Sequence, residues 1–145
     1  MQCLPIIYLA EDDDGHAFLL QSGLRQAGFH NPVIRFRDGQ EAVDYFAAPD
    51  PAPPLTVAPR VLLLDIRMPK IGGIEVLRRI RGDSRFDSMP VIMLTTTDDP
   101  AEAQHCLQLG CNSYVVKPVN AKRFHAAICG LSGYLSAPDA TAPAP

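Results

Sequence analysis

The chain of 145 residues is 47% hydrophobic and 20% charged, with 13 basic against 16 acidic side chains and a net charge of −3. That length suits one domain with an ordinary core, because a domain of about 150 residues buries roughly 68–70% of its unfolded surface. The acidic balance excludes the basic field of sequence-independent nucleic-acid binding, and no apolar run reaches the roughly 18–20 residues of a membrane span. The opening Met1-Gln2-Cys3-Leu4-Pro5 lacks the basic region and cleavage site of a signal peptide. Cys3, Cys106, Cys111 and Cys129 form neither a C-x-x-C pair nor a dense framework, so reduced thiols in a cytoplasmic protein are expected.

Five short apolar runs recur along the chain, each followed by residues at helical spacing. Ile6-Ile7-Tyr8-Leu9-Ala10 precedes a stripe of Ala17, Leu20, Leu24 and Ala27 that stops at Gly28, a helix C-cap signal. Val33-Ile34-Arg35-Phe36 precedes Ala42, Val43 and Phe46; interrupted by arginine, this run reads as an edge strand. Five of the fourteen prolines then crowd positions 49–59, a surface loop longer than usual between elements. Val61-Leu62-Leu63-Leu64 precedes Ile74, Leu77 and Ile80, and Val91-Ile92-Met93-Leu94 precedes Ala103, Cys106 and Leu107, ended by Gly110. This fourth helix has a readable start, with Asp99 as N-cap, Pro100 at the first helical position and Glu102 at the third, as in a capping box. Tyr114-Val115-Val116 precedes Phe124, Ile128, Leu131 and Leu135. The alanine- and proline-rich stretch 137–145 has little to bury and reads as a disordered tail after a single domain over 1–136.

Strands that are apolar throughout are covered on both faces, and strand–helix alternation repeated five times specifies right-handed parallel crossovers. The expected fold is therefore a doubly wound (βα)5 domain with a five-stranded parallel sheet. The order 2-1-3-4-5 is the common choice, and it places ligands beyond the carboxyl ends of the strands.

Those carboxyl ends carry the chemistry. Glu11-Asp12-Asp13-Asp14 follows the first run, Asp65 the third, Thr95-Thr96-Thr97 the fourth and Lys117-Pro118 the fifth. A parallel sheet brings them to one rim. Two carboxylates about 4 Å apart repel by about 4 kcal/mol at an effective dielectric near 20, a cost that a cation removes. A hard ion such as Mg²⁺, which takes one or two carboxylates plus water and phosphate oxygens, suits the set. Each group alone has a plainer reading. Asp13 and Asp14 serve as helix caps, Asp65 as a turn residue, the threonines as a lead into the Asp99 cap, and Lys117 as a solvated charge. Four strand ends that all supply groups of one reaction chemistry favour the functional reading.

With these motifs in order, from Tyr8-Leu9-Ala10-Glu11-Asp12-Asp13 through Leu63-Leu64-Asp65-Ile66-Arg67-Met68-Pro69 with Gly72-Gly73, Met93-Leu94-Thr95 and Tyr114-Val115-Val116-Lys117-Pro118, the chain resembles a receiver domain of two-component response regulators. The resemblance runs from Ile6 to about Leu135 and implies the flavodoxin-like receiver fold. It implies that Asp65 accepts a phosphoryl group, with Asp12 as a direct Mg²⁺ ligand, Glu11 acting through water and the Arg67 backbone carbonyl as a further ligand. Thr95 resembles the switch hydroxyl, Lys117 the phosphate-pairing ammonium, Tyr114 the switch aromatic and Pro118 the family's cis-proline. Thr96 departs from the family in being larger than the residue frequent there, which narrows access to the site.

Only a short tail follows Leu135, so a stand-alone receiver is expected, signalling by protein binding to a downstream target or phosphotransfer protein. The stretches from Asp14 to Leu20 and from Arg35 to Phe46, with the long loop, are similar to small regulators paired with phytochrome-type sensor kinases. That similarity implies a sensor histidine kinase of bacteriophytochrome type as partner, and a homodimer through the fourth or fifth helix, as in some relatives. Three rival readings compete. An aspartyl-phosphate phosphatase wants an Asp-x-Asp pair after the first strand and a cap domain. An FMN module wants hydroxyls and amides where this chain places carboxylates that repel phosphate. A pseudo-receiver that binds without phosphorylation stays open.

Overall fold

Three of the five apolar runs become strands that meet solvent on neither face, whereas Tyr114-Val115-Val116, though apolar throughout, lies on an edge and leaves Val116 40% exposed. A computed structural model of the protein describes residues 4–49, 59–117, 126–127 and 129–136. Strands β1 (Ile6–Ala10), β3 (Arg60–Asp65) and β4 (Val91–Thr95) are buried along their whole length. Strands β2 (Val33–Phe36) and β5 (Ser113–Val116) are only partly covered, because they form the two edges of a parallel sheet of order β2-β1-β3-β4-β5. The arginine-interrupted second run is thus an edge, as its pattern predicts. Residue Asp65 belongs to β3 and pairs in register with Leu94, which places Thr95 one step further along the same rim.

Helices cover both faces. On one side α2 (Gly39–Ala47), α3 (Gly73–Arg81) and α4 (Pro100–Gln108) set Phe46, Val76 and Cys106 against Leu62 and Leu64. On the other, α1 (Asp14–Gln26) and α5 (Ser132–Leu135) set Ala17, Leu24 and Leu135 against Val61 and Leu63. Alternate residues of β3 thus serve opposite cores, and each buried leucine contributes roughly 1.5–3 kcal/mol. Gly28, at φ 91, closes α1 as expected, with the Phe29 amide bonded back to the Leu24 carbonyl at 2.8 Å.

Three sequence expectations need correction. Val76 joins Leu77 and Ile80 as the buried stripe of α3, whereas Ile74 only packs against its edge. In α4 only Cys106 is buried, and Leu107, one position round the helix, stands 47% exposed. The capping box at α4 forms by half: Asp99 accepts from the Ala101 amide at 3.0 Å, but the Asp99 amide donates to Thr97 Oγ1 and leaves Glu102 free to turn elsewhere. Leu131 and Leu135 are buried, and residues 126–127 and 129–130 are helical. Phe124, Ile128, Pro118, most of the proline-rich loop and the tail 137–145 lie outside the described residues.

One glycine ties the fold to the rim. A Cβ added at Gly73 would sit 2.1 Å from the Asp65 carbonyl oxygen and 2.9 Å from its carbonyl carbon, so α3 starts in direct contact with the end of β3. Gly73→Ala must displace the backbone that presents Asp65. It is expected to lower unfolding free energy by about 1–3 kcal/mol, read as a reduced denaturant midpoint at unchanged slope. An unchanged midpoint would show that this contact can relax.

Candidate functional site

At the carboxyl ends of β1, β3 and β5, opposite charges meet under partial burial. Glu11 has no exposed surface, Asp65 is 5% exposed, and Asp12 projects into solvent beside them. One carboxylate oxygen of each of Glu11, Asp12 and Asp65 falls within 4.8 Å of the others. From β5, Lys117 reaches across the sheet with Nζ 3.1 Å from Asp65 Oδ2 and in contact with Glu11 Oε1. Burial pushes the Glu11 carboxyl up to about 7, a rise opposed by the Lys117 ammonium and reinforced by Asp65.

Local sequence explains each placement. Asp13 caps α1 by accepting from the His16 amide at 2.9 Å, so the chain turns immediately after Asp12 and leaves that carboxylate free. Asp14 pairs with Arg35 at 2.8 Å, while Arg35 Nε and Nη2 also donate to the Glu11 backbone carbonyl at 3.0 and 2.8 Å. The arginine that interrupts the second apolar run therefore fixes the backbone of Glu11, a role its sequence position did not announce. On β3 the Asp65 carboxylate accepts from the Arg67 amide at 3.3 Å, which folds the following loop over the rim. His16 Nδ1 lies 3.3 Å from Lys117 Nζ and 3.8 Å from Glu11 Oε1, one helical turn into α1.

Thr95 and Tyr114 sit on the side of the rim nearest α4. Thr95 is 1% exposed, and its hydroxyl donates to Glu102 Oε1 at 3.2 Å while accepting from the Thr97 amide at 3.2 Å. The Tyr114 hydroxyl is 3.0 Å from the Thr97 carbonyl and 3.1 Å from Glu102 Oε1. The structure thus brings Glu11, Asp12, Asp65 and Lys117 together, and joins Thr95 to Tyr114 through a residue that the sequence reading assigned to a helix cap. The Arg67 side chain is exposed and pairs with Glu102 at 3.5 Å.

The donor set fits a hard divalent cation: all three groups are carboxylates, they are close enough to share one ion, and a buried Glu11 gains most from a neighbouring positive charge.

Comparison with known proteins identifies the family of the fold. A family model described as the response regulator receiver domain matches residues 7–129. The chain belongs to that family. Among solved structures, the Mn²⁺-bound form of response regulator Rcp1 is 28% identical, with a TM-score of 0.76 over 97% of this chain and 99% of that one. The bacteriophytochrome response regulator RtBRR is 39% identical, with a TM-score of 0.69 over 88% of this chain and 78% of that one. The phosphorylated cyanobacterial phytochrome response regulator RcpA is 28% identical, with a TM-score of 0.78 over 93% and 99% of the two chains. Among the described residues, no helix of this receiver is long and apolar enough to cross a membrane.

Ion binding at this rim should stabilise the native state alone. Mg²⁺ at a hundredfold excess over its Kd is expected to add about 2.7 kcal/mol to unfolding free energy in the parent and almost nothing in Asp12→Ala. Thermal unfolding with and without Mg²⁺ measures both; an equal gain in the variant would place the ion elsewhere.

Proposed function

We propose that this receiver takes a phosphoryl group from a phosphohistidine of a sensor kinase onto Asp65 and signals by altered protein binding. The observation that carries the reading is Asp65 itself: a carboxylate 5% exposed, paired with Lys117 at 3.1 Å and grouped with Glu11 and Asp12. An Asp65 oxygen attacks phosphorus, the P–N bond breaks with its electron pair returning to the imidazole, and an aspartyl phosphate forms. Lys117 holds a fixed positive charge where the phosphoryl oxygens gather charge. Asp12, Asp65 and the Arg67 backbone carbonyl would hold Mg²⁺, with Glu11 acting through water. The ion when bound supplies charge neutralisation for the incoming phosphoryl oxygens. Pro118, next to Lys117, is assigned the family's cis-proline role by its motif alone.

Thr95 and Tyr114 are the readout in this proposal. Thr95 turns to donate to the phosphoryl group, Tyr114 follows, and the surface of α4 and β5 changes as one two-state element. The protein promotes only its own phosphorylation and dephosphorylation, in the cytoplasm. Likeness to RtBRR and RcpA supports a phytochrome-type histidine kinase as donor, and a downstream protein or phosphotransfer partner as target. A homodimer through the fourth or fifth helix belongs to the same reading.

A panel of phosphorylated histidine kinases that includes bacteriophytochromes, each mixed with the protein and Mg²⁺, tests donor and acceptor together. Label should move within seconds from a phytochrome-type kinase to the wild type and not to Asp65→Asn. Rapid transfer to the variant would contradict Asp65 as acceptor, and transfer only from other kinases would contradict the donor class.

A further inference from the structure

Glu102 stands outside the phosphorylation site, yet three segments of the rim converge on it. Its Oε1 accepts from Thr95 Oγ1 at 3.2 Å and lies 3.1 Å from the Tyr114 hydroxyl, and its Oε2 is 3.5 Å from Arg67 Nη2. The side chain is largely covered, at 18% exposure. An ionised carboxylate only accepts hydrogen bonds, so the single hydroxyl proton of Thr95 must point at Glu102 in this conformation. The same proton cannot be given to a phosphoryl oxygen on Asp65. Glu102 is therefore a competing acceptor for the group on which the proposed readout depends. It is also free to act as one, because the other half of the expected capping box is made by Thr97.

We propose that Glu102 is a latch for the non-phosphorylated form. Its carboxylate holds Thr95 and Tyr114 towards α4 and ties the loop after β3 to the same helix through Arg67. A phosphoryl group arriving on Asp65 brings roughly two negative charges and three strong acceptors, and it wins the Thr95 proton only by breaking this bond. Glu102 thereby sets how much phosphoryl binding is needed to change the α4–β5 surface. It is a positioning residue that acts through Thr95 and does not touch the reacting atoms. This inference rests on Asp65 being the acceptor.

Sign and site can both be measured. Glu102→Ala should raise the apparent affinity for beryllofluoride, at saturating Mg²⁺, by at least about fivefold, the lower end of the usual range of coupling between sites. Amide chemical shifts follow the titration, and Glu102→Gln, which keeps size and a neutral acceptor, should gain by a smaller factor in the same direction. In a Thr95→Val background the Ala substitution should give no gain, since the group it releases is absent. A residue that merely capped α4 would lower thermal stability and leave beryllofluoride affinity where it was. The latch is overturned if both Glu102 variants bind within twofold of the wild type, or if the gain persists without the Thr95 hydroxyl. Failure of the wild type to bind beryllofluoride would instead overturn the Asp65 reading, and the latch with it.

Discussion

The pairing of Lys117 with Glu11 and Asp65 is the constraint around which this rim is built. Two carboxylates with almost no exposed surface would repel each other and lose their hydration, and either effect alone penalises the fold. An ammonium delivered from the opposite end of the sheet offsets both. It can arrive there because parallel strands present their carboxyl ends on the same side, so that a side chain from the end of β5 reaches over β4 to the ends of β3 and β1. The topology and the charge cluster are therefore one solution: the order of the strands decides which side chains can meet.

The cluster sets the Asp65 carboxylate beside the Lys117 ammonium, with an exposed third carboxylate at its edge. Under the proposed function this charge pattern would receive a phosphoryl group accompanied by a divalent ion. Around it lies a polar periphery that holds the loops in place. Arg35 fixes the Glu11 backbone, Asp13 turns the chain into α1, and Gly73 lets α3 start against the end of β3. On the α4 side the periphery differs in kind. There the hydroxyls of Thr95 and Tyr114 share one carboxylate oxygen, an arrangement with an evident alternative once a stronger acceptor appears nearby.

Much of this was legible from the residues. Continuous apolar runs such as Leu62-Leu63-Leu64 mark buried parallel strands because nothing in them could face water, and the arginine in the second run marks an edge. The positions of Asp12, Asp65 and Lys117 on one rim were readable because each lies at the carboxyl end of an apolar run: Asp12 two residues past β1, Asp65 as the last residue of β3 and Lys117 directly after β5. Glu102 was not. At the third position of a helix after an Asp-Pro start, a glutamate has a common local role, and only the fold reveals that Thr95, Tyr114 and Arg67 are closer competitors for it. Ile74 and Leu107 misled for a related reason: helical spacing gives a face to within a residue or so, while the neighbouring layer decides which residue is covered. Arg35 was read as an interruption because side-chain bonds to a distant carbonyl leave no periodic trace.

The central claim is that the groups at four strand ends serve one nucleophile. Reductive trapping tests it most directly. Protein treated with acetyl phosphate and Mg²⁺ is reduced with borohydride, which converts an acyl phosphate to an alcohol at the carbon that carried it, and is then digested and mapped by mass spectrometry. The account predicts one reduced residue, Asp65, and none when Mg²⁺ is withheld. Reduction mapped to Asp12, Glu11 or any other carboxylate, with Asp65 intact, would contradict it.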